Sequence, residues 1–347
     1  MPWLRELSRS IPLQAPRDAE RPTAIALGSF DGLHPGHRRV IAAISGPGPG
    51  VPTVVSFWPH PREVLYGETR LRLDLPSEKL ELLAPLGIHQ LVLVPFDRPL
   101  AALEPEAFVD QVLVGELAAR RIAVGENFRF GAARRGDAYD LARIGAERGI
   151  AVTVVPLLWD GAERVSSSRV RRALAAGEIA EVRRLLQRPY RFSGRVVSGR
   201  GLGRQLGWPT ANLEVDGRKC LPLEGVYAAR VQLQSGPGGD DGPGGDGGAC
   251  DGWLAAVMNL GPQPTVDPAA PSAVEVHLLD RQIELGGCEL RVEPLALLRR
   301  QRRFAGLEAL TAQIGVDAEQ ARALAAGVGV GQPPADEGGN PPQQQNS

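Results

Sequence analysis

The sequence has little lysine and little cysteine, and it has no long apolar run. Only Lys79 and Lys219 are lysines among its 39 basic residues, an arginine bias from which we derive no function. The three cysteines are widely spaced and form no C-x-x-C pair, so neither a disulfide framework nor a cysteine zinc site is expected, and a reducing, cytoplasmic location fits best. No apolar segment approaches the roughly 20 residues of a membrane-spanning helix, so no membrane partner is expected.

The chain also lacks an excess of charge of either sign. Its 39 basic and 40 acidic residues leave a formal net charge of −1, so no basic field attracts DNA or RNA and no nucleic-acid partner is expected. The length of 347 residues predicts two domains, and a hydrophobic content of 43% supplies apolar side chains for two cores.

The first half of the chain alternates apolar runs with segments of helical spacing. Continuous apolar strands separated by helices predict a parallel α/β sheet with both faces covered. The expected strands are Thr23–Gly28, Val51–Phe57, Leu91–Pro95, Ile122–Gly125 and Ile150–Pro156, and the expected helices are Gly36–Ser45, Ser77–Leu86, Glu104–Ala119, Ala138–Arg148, Arg169–Ala176 and Ile179–Gln187.

The pattern changes near Tyr190. Several short, roughly alternating strands follow, and helical spacing returns only near Gly306–Ala325. This pattern predicts a small antiparallel barrel or sandwich. We therefore expect an N-terminal extension over residues 1–20, an α/β domain over 21–187, a β domain over 188–326 with a flexible Gly/Asp-rich insertion at 235–248, and a disordered tail over 327–347.

The strongest local pattern is the segment Gly28–His37, which reads G-S-F-D-G-L-H-P-G-H and joins the first strand to the first helix. Gly28 and Gly32 allow a ligand to approach the backbone closely. His34 and His37 are three residues apart, so both can lie on one side of the helix start. Because a helix N-terminus favours anions, we expect this segment to bind phosphate. A metal site is the weaker alternative, since no nearby Cys or third His completes it.

A second anion site is expected at the start of a later helix. Ser166–Ser168 can cap that helix, and Arg169 and Arg171 add cationic donors beside it. The simpler alternative is an N-cap with solvated arginines. Between these segments, Phe57, Trp58, Phe128 and Phe130 can stack on a planar ring, although aromatic residues in such positions are more often part of a core.

The second half has two patterns of its own. Gly203–Leu213 reads G-R-Q-L-G-W-P-T-A-N-L, in which glycines suit a loop around phosphates and the oxygens of Thr210 and Asn212 suit Mg²⁺, although a simple turn is the alternative. No Walker A motif is present, which excludes a P-loop kinase. Strand alternation places Glu275 and His277 on one face. Glu275 could accept a proton from an attacking hydroxyl, whereas an exposed strand glutamate is the commoner alternative; His277 is expected to pack or hydrogen-bond.

Together these segments resemble the prokaryotic bifunctional riboflavin kinase/FAD synthetase family over about residues 20–325. The first half is similar to the family strings G-x-F-D-G-x-H-x-G-H, F-x-P-H-P, G-x-[DN]-F-x-F-G and I-S-S-T-R-I-R. The second half is similar to G-R-x-L-G-[FW]-P-T-A-N-L and E-x-H-L-[LF]-D. The resemblance implies a Rossmann-like nucleotidyltransferase domain followed by a small β-barrel riboflavin kinase domain.

The resemblance also implies two reactions. Riboflavin and ATP would give FMN and ADP in the barrel, and FMN and a second ATP would give FAD and pyrophosphate in the α/β domain. Riboflavin, FMN and ATP would then be the partners, with Mg²⁺ expected in both sites.

The resemblance assigns roles residue by residue, with His60 on the side of the flavin phosphate and Asn127 near the reacting phosphates. The implied catalytic residues are Glu275, His34, His37 and Asn127, and the implied metal ligands are Thr210 and Asn212. The implied substrate- and ATP-binding residues are Gly28, Phe30, Asp31, Gly32, His60, Phe57, Phe128, Ser166, Ser167, Ser168, Arg169, Arg171, Gly203, Arg204, Gly207 and Pro209.

Three departures from the family strings support an alternative. Gln263 replaces an arginine, Gly286 stands where an aromatic residue is usual, and Arg300 replaces an acidic residue. The alternative is a flavin-binding protein with FMN adenylyltransferase activity only and a decayed kinase half. A different type of nucleotidyltransferase is a second rival, but the second-half strings argue against it.

The Gly/Asp-rich stretch Gly236–Gly248 should be dispensable. It has no apolar side chain to anchor it, and the entropy of loop closure changes only slowly with loop length. Replacing it with a short Gly-Asn turn should leave both the phosphorylation of riboflavin and the adenylylation of FMN within about twofold of the parent rates, measured by chromatography of flavins. Loss of either activity would reveal a functional role for this stretch.

Overall fold

A parallel sheet and a closed antiparallel barrel form the two halves of the chain in the computed structural model. The structure describes residues 11–68, 70–198, 207–235, 252–261, 274–281 and 283–327. The fold class predicted from the sequence is confirmed. Within these ranges, none of the helices has the length and apolar character that crossing a membrane requires.

The N-terminal sheet is built from six parallel strands, and two short hairpins lie beside it. The sheet strands are β1 (Leu13–Gln14), β2 (Thr23–Leu27), β3 (Val51–Trp58), β4 (Gln90–Pro95), β5 (Ala119–Gly125) and β8 (Ala151–Val155), and the hairpins are β6 (Arg129–Phe130) with β7 (Gly136–Asp137) and β9 (Trp159–Asp160) with β10 (Glu163–Arg164). The order across the sheet is β1-β4-β3-β2-β5-β8. Alternate residues of β2 face two cores, Ile25 and Leu27 in one and Ala24 and Ala26 in the other, because helices cover both faces.

Eight helices accompany this half in the described ranges, and several begin with proline, whose missing N–H costs nothing in a first turn. They are α1 (Pro35–Ser45), α2 (Pro61–Tyr66), α3 (Pro76–Leu83), α4 (Arg98–Ala101), α5 (Pro105–Phe108), α6 (Ala138–Glu147), α7 (Ser167–Ala176) and α8 (Ile179–Leu186). The single helix expected over Glu104–Ala119 is instead α5 followed by a π-helical stretch, Val109–Glu116.

The C-terminal half is a closed six-stranded barrel. Its strands are β11 (Phe192–Val197), β12 (Ala211–Glu214), β13 (Gly225–Ser235), β14 (Leu254–Leu260), β15 (Val274–Leu278) and β16 (Glu289–Arg299), in the order β11-β12-β15-β14-β13-β16. On β15 the side chains of Val274, Val276 and Leu278 fill the interior, so Glu275 and His277 lie on the outer face.

A long helix, α9 (Leu307–Gly327), packs on the outside of the barrel. Its Ala318 and Ala321 form a small core with residues of β13 and β14. Buried Asp317 on this helix accepts from Arg299 at the end of β16, at 2.9 Å, and so fixes the helix to the barrel. The outer face that carries Glu275 is therefore bordered by α9.

Two elements differ from the sequence interpretation. Leu13–Gln14, expected in an N-terminal extension, pair with Leu91–Val92 and form the sheet edge. Ala211–Glu214, expected within a phosphate loop, form a complete barrel strand. Both strands are too short to show an alternating pattern in the sequence, so they are recognised only from their pairing with other strands.

Candidate functional site

The loops after β2, β3, β5 and β8 lie at one edge of the parallel sheet. The strand order reverses between β2 and β5, and ligands of open α/β sheets bind in the crevice at such a point. The Gly28–His37 segment follows β2, and the segment with Asn127 and Phe128 follows β5. The fold therefore brings the first-half motifs to the edge where a ligand site is expected.

His34 and His37 form a stacked pair at the start of α1. His34 is the N-cap residue and is 6% exposed, and its ring lies 3.7 Å from that of His37, centroid to centroid. The ring of buried Phe30 meets the His37 ring in an edge-to-face arrangement, with centroids 5.4 Å apart. A Cβ on Gly36 would lie 3.1 Å from the His34 ring, so glycine leaves room for the pair. Phe30 thus supports a histidine, whereas the sequence interpretation expected it to contact substrate.

The site contains an unusual concentration of unsatisfied polar atoms. Among the described residues, six buried side-chain nitrogen or oxygen atoms have no hydrogen-bond partner. Four of the six belong to predicted site residues, namely His34 Nδ1, His37 Nδ1, an Nη of Arg169 and an Nη of Arg171. Because buried polar groups are normally paired, this cluster indicates a place where a polar ligand completes the hydrogen bonding.

Both stacked histidines are neutral near pH 7. Burial, followed by the charge of Arg38, lowers the pKa of His34 from 6.5 to about 4. Burial and the neighbouring His34 ring hold the pKa of His37 well below its usual range. The pair therefore offers N–H donors and imidazole nitrogens to a ligand, with no positive charge of its own.

Asp31 organises the loop and also lines a cavity beside it. Its carboxylate accepts from the backbone N–H groups of Leu73 and Asp74, at 2.9 and 3.2 Å, and forms an ion pair with Arg171. In return, Asp74 accepts from the N–H of Gly32 at 2.8 Å. Asp31 and Arg171 therefore hold the loop, and one Nη of Arg171 has no partner among the described residues; their substrate-binding roles stay predictions.

The start of α7 lies against the same loop. Ser166 caps the helix by accepting from the N–H of Arg169, and Ser167 Oγ donates to the carbonyl of Asp31 at 2.8 Å. Ser168 is exposed. Arg169 contacts three carboxylates, at 2.8 Å from Asp160, 3.0 Å from Glu181 and 3.5 Å from Glu163. One Nη of Arg169 has no partner among the described residues, and its role as a cationic donor to a ligand stays a prediction.

A cavity between the loops after β2 and β3 is lined by Ser29, Trp58, His60 and Lys79, among others. His60 caps α2, and burial lowers its pKa to about 4. Lys79 is 8% exposed and donates to the carbonyl of Ser29 at 3.0 Å, and burial lowers its pKa as well. Sequence reasoning missed Lys79, although its rarity as one of two lysines was visible.

Aromatic side chains adjoin this cavity. Phe57, which lines it, packs edge-on against Phe96 with ring centroids 5.7 Å apart. Phe128 stacks on Phe130, also at 5.7 Å, and is half-buried. Asn127, which precedes Phe128 in the chain, is exposed. The structure thus brings predicted aromatic residues and Asn127 to the same edge of the sheet as the histidine pair.

A second group of polar residues forms a row across the outer face of the barrel. Asn212 on β12 lies directly opposite Glu275 on β15, and Glu275 lies directly opposite Asn259 on β14. Residues opposite each other in a ladder share a face, about 5 Å apart at Cβ. Glu275 is half-buried, and its carboxylate receives no hydrogen bond from any residue that the structure describes. Asn259, which sequence reasoning missed, is held by Gln301 at 2.6 Å.

His277 positions the segment before β12. Its Nδ1 lies 2.7 Å from the carbonyl oxygen of Pro209, and its ring meets Trp208 edge-on at 5.1 Å. The prediction that His277 packs and hydrogen-bonds is confirmed. Thr210, next in the chain, is exposed. Gly207 has φ of 79°, a left-handed conformation that favours glycine.

Some predicted residues lie outside the described ranges. These are Gly203 and Arg204, the departure Gln263, the stretch 236–248 and residues 328–347. Of the other departures, Gly286 lies in an exposed turn and Arg300 is exposed just after β16.

Comparison with known families gives two matches in order along the chain. A family model described as FAD synthetase matches residues 17–169, and one described as riboflavin kinase matches residues 186–325. The barrel half thus keeps both a family match and a closed fold, and the alternative of a decayed kinase half finds no support.

Curated relatives match over most of their length. The bifunctional riboflavin kinase/FMN adenylyltransferase of Escherichia coli is 38% identical over 313 residues, 89% of this chain and 94% of the relative. Those of Pseudomonas fluorescens and Bacillus subtilis are 38% and 30% identical, covering 95% and 93% of the relatives and 89% and 88% of this chain. A crystal structure named macrolide-efflux protein, from Streptococcus pneumoniae, superimposes with a TM-score of 0.75 at 25% identity, covering 90% of this chain and 99% of that one.

The lowered pKa of His34 predicts a loss of stability in acid. Between about pH 6.5 and pH 4 the unfolded chain binds a proton that the folded ring resists, so the free energy of unfolding falls as the pH falls through this window. His34→Gln should flatten this dependence by up to about 3 kcal/mol in urea titrations of the ligand-free protein. The exposed His89→Gln is the matched control. Equal slopes for His34→Gln and the parent would contradict the assignment.

Proposed function

Because the chain belongs to the bifunctional riboflavin kinase/FMN adenylyltransferase family, we propose that it phosphorylates riboflavin with ATP and then adenylylates the resulting FMN to FAD. The observation that carries the proposal is the concentration of unsatisfied buried atoms on His34, His37, Arg169 and Arg171, in the half that matches the FAD synthetase family. A second polar row, with Glu275, lies in the half that matches riboflavin kinase.

Adenylyl transfer would take place at the start of α1. A phosphate oxygen of FMN attacks the α-phosphorus of ATP, the new P–O bond forms, and pyrophosphate leaves with the bonding electrons. Because phosphate is itself the nucleophile, the protein needs only to orient the two phosphates and stabilise the charge that develops. His34 and His37 would donate to the triphosphate together with the backbone N–H of Gly36, since Pro35 has no N–H and those of His37 and Arg38 donate to the His34 carbonyl. Ser166–Ser168 would bind its outer end, and Asn127 would lie near the reacting phosphates.

FMN would enter beside the cavity after β3. His60 and Lys79 would lie on the side of the flavin phosphate, and Phe57 and Phe128 would flank the planar ring system. Gly28 and Gly32 would let the nucleotide approach the backbone. Asp31, Arg171 and Phe30 would act indirectly, by holding the loop and the histidine pair.

Phosphorylation of riboflavin would take place on the outer face of the barrel. The ribityl hydroxyl attacks the γ-phosphorus of ATP, Glu275 accepts the hydroxyl proton, and ADP leaves. The carboxylate of Glu275 suits this role because no described residue neutralises it by an ion pair or hydrogen bond. The Gly203–Pro209 segment would fold around the nucleotide phosphates.

Mg²⁺ fits one of the two sites. Asn212 shares the outer face with Glu275 in register, and Thr210 precedes it, so hard oxygen donors are available there. When bound, Mg²⁺ would neutralise charge on the phosphate oxygens. At the α1 site, Asp31 and Asp74 are both paired with arginines, so the described carboxylates do not fit a resident ion and we derive no step through one.

The direct test is incubation of the purified chain with riboflavin, ATP and MgCl₂, followed by chromatography of the flavins. FAD is the expected product, with FMN as a transient intermediate. Accumulation of FMN alone would remove the adenylylation step from the proposal, and unchanged riboflavin would remove the kinase step.

His37→Ala should reduce the conversion of FMN to FAD by about 10²–10³, the usual effect of losing one preorganised donor. His34→Ala should act similarly. Riboflavin phosphorylation should remain within about twofold, because its site lies on the barrel. His89→Ala, an exposed histidine outside both sites, is the control. If His37→Ala slowed both reactions equally while circular dichroism stayed unchanged, the two reactions would share one site.

Glu275→Gln should slow riboflavin phosphorylation by about 10²–10⁴, because the amide keeps the shape of the side chain but cannot accept the proton. Riboflavin affinity, measured by fluorescence titration, should change much less, and FMN added directly should still become FAD. Asp280→Asn serves as the control, since the Asp280 carboxylate is already occupied by Arg322. A normal phosphorylation rate in Glu275→Gln would exclude it as the base.

A further inference from the structure

A short backbone bridge joins the two halves of the chain. The N–H of Arg72 donates to the carbonyl of Arg218 at 2.6 Å, and the N–H of Cys220 donates to the carbonyl of Arg72 at 2.8 Å. Both guanidinium groups also lie over the ring of Trp58, at 5.0 Å for Arg72 and 5.3 Å for Arg218. We call residues 72–74 and 218–220 together the clip.

Lys219 forms the centre of the clip. It belongs to the connection between β12 and β13 and is 1% exposed. Its Nζ donates to the carbonyl of Leu73 at 2.7 Å and to the Glu78 carboxylate at 2.6 Å, and it lies 4.8 Å from the centroid of the Tyr190 ring. A lysine contributed by the barrel half is therefore buried against backbone of the sheet half.

The other side of the same peptide segment holds the candidate phosphate loop. Leu73 donates its N–H to Asp31, and Asp74 accepts from the N–H of Gly32. Lys219 is thus separated from Asp31 by the single residue Leu73, which is bonded to both. This chain of contacts runs from Lys219 of the barrel, through Leu73, to the loop that ends in His34.

This loop depends on support from outside. Phe30 and Leu33 have φ of 44° and 40°, and Gly32 has φ of 88°. Left-handed conformations at residues with bulky side chains are unfavourable and persist only when the surroundings hold them. The hydrogen bonds of residues 73 and 74 with Asp31 and Gly32 contribute that support, together with contacts from Ser167, Arg171 and Arg188, so the position of this segment influences the position of the histidine pair.

We propose that Lys219 of the kinase barrel is a positioning residue for adenylyl transfer in the other half of the chain. This inference rests on the proposed function of the α1 site. By fixing the Leu73 carbonyl, Lys219 sets the position of Asp31 and of the loop before α1. A displacement of reacting groups by about 1 Å can lower the reaction rate up to about a hundredfold. Loss of a hydrogen bond one residue away from the loop is therefore sufficient to change the rate of adenylyl transfer.

The test compares Glu78→Gln with the double variant Lys219→Met/Glu78→Gln. Glu78→Gln keeps the bond from Lys219 to Leu73, and the double variant removes it without leaving a buried carboxylate unpaired. Arg291→Gln is the matched control, because it breaks another contact between the halves, 2.5 Å from Glu81, that does not involve the clip.

We expect the double variant to lower kcat for FMN adenylylation about ten- to a hundredfold relative to Glu78→Gln, with the KM for FMN changed less than threefold. Riboflavin phosphorylation in the same molecule should stay within twofold, and Arg291→Gln should retain both activities. Equal adenylylation rates in Glu78→Gln and the double variant would overturn the inference. A parallel fall in both activities would also overturn it, since the clip would then serve folding alone.

Hydrogen exchange provides a readout that does not depend on activity. The amide of Gly32 should exchange at least tenfold faster in the double variant than in Glu78→Gln, because Leu73, next to its acceptor Asp74, loses its bond to Lys219. Mass spectrometry of a peptide spanning residues 28–36 would detect this. Unchanged exchange would overturn the inference even if the parent proved inactive on FMN. An inactive parent with faster exchange in the variant would instead contradict only the proposed function.

Discussion

The candidate adenylyltransferase site depends on the hydrogen bonds and the ion pair formed by the Asp31 carboxylate. Two backbone N–H groups of the clip and the guanidinium of Arg171 on α7 all converge on it. Asp31 thereby ties the loop after β2 to two elements that lie about 40 and 140 residues further along the chain. Substitution of Asp31 is expected to lower the stability of this loop, because its three donors would all lose their acceptor at once.

The hydrophobic core extends the same coupling between the halves. Val170 and Leu174 of α7 and Leu185 of α8 belong to one core cluster with Tyr190 and the interior of the barrel. The domain boundary expected after residue 187 lies where the sequence pattern changes from helical spacing to short strands. The hydrophobic core nevertheless continues across this boundary. Helix α7 contributes its N-terminus to the candidate site of the first half and its apolar face to the core of the second half. This helix therefore fixes the position of one half relative to the other.

Sequence periodicity was sufficient for the architecture, whereas local motifs and the family resemblance supplied the candidate site residues, which stay predictions. Apolar runs predicted the parallel strands, and alternation on β15 predicted the face of Glu275. The sequence could not predict how charges pair, because Arg169 meets Asp160 and Glu181 only after folding, and Arg171 meets a residue 140 positions away. Buried Lys79 and Lys219 were likewise hidden, since a lysine in a sequence is most often solvated.

Charge pairing also determines how this chain can recognise a triphosphate. Three arginines near the α1 site, Arg169, Arg171 and Arg188, are paired with carboxylates, so we expect backbone N–H groups, hydroxyls and the imidazoles of His34 and His37 to carry much of the recognition. Charging His34 at pH 7 would require bound phosphates to raise its pKa by about 3 units, or about 4 kcal/mol. Hydrogen bonds from neutral rings need no such shift. We therefore expect preorganised dipoles, held by Asp31 and the clip, to dominate stabilisation of the transition state at this site.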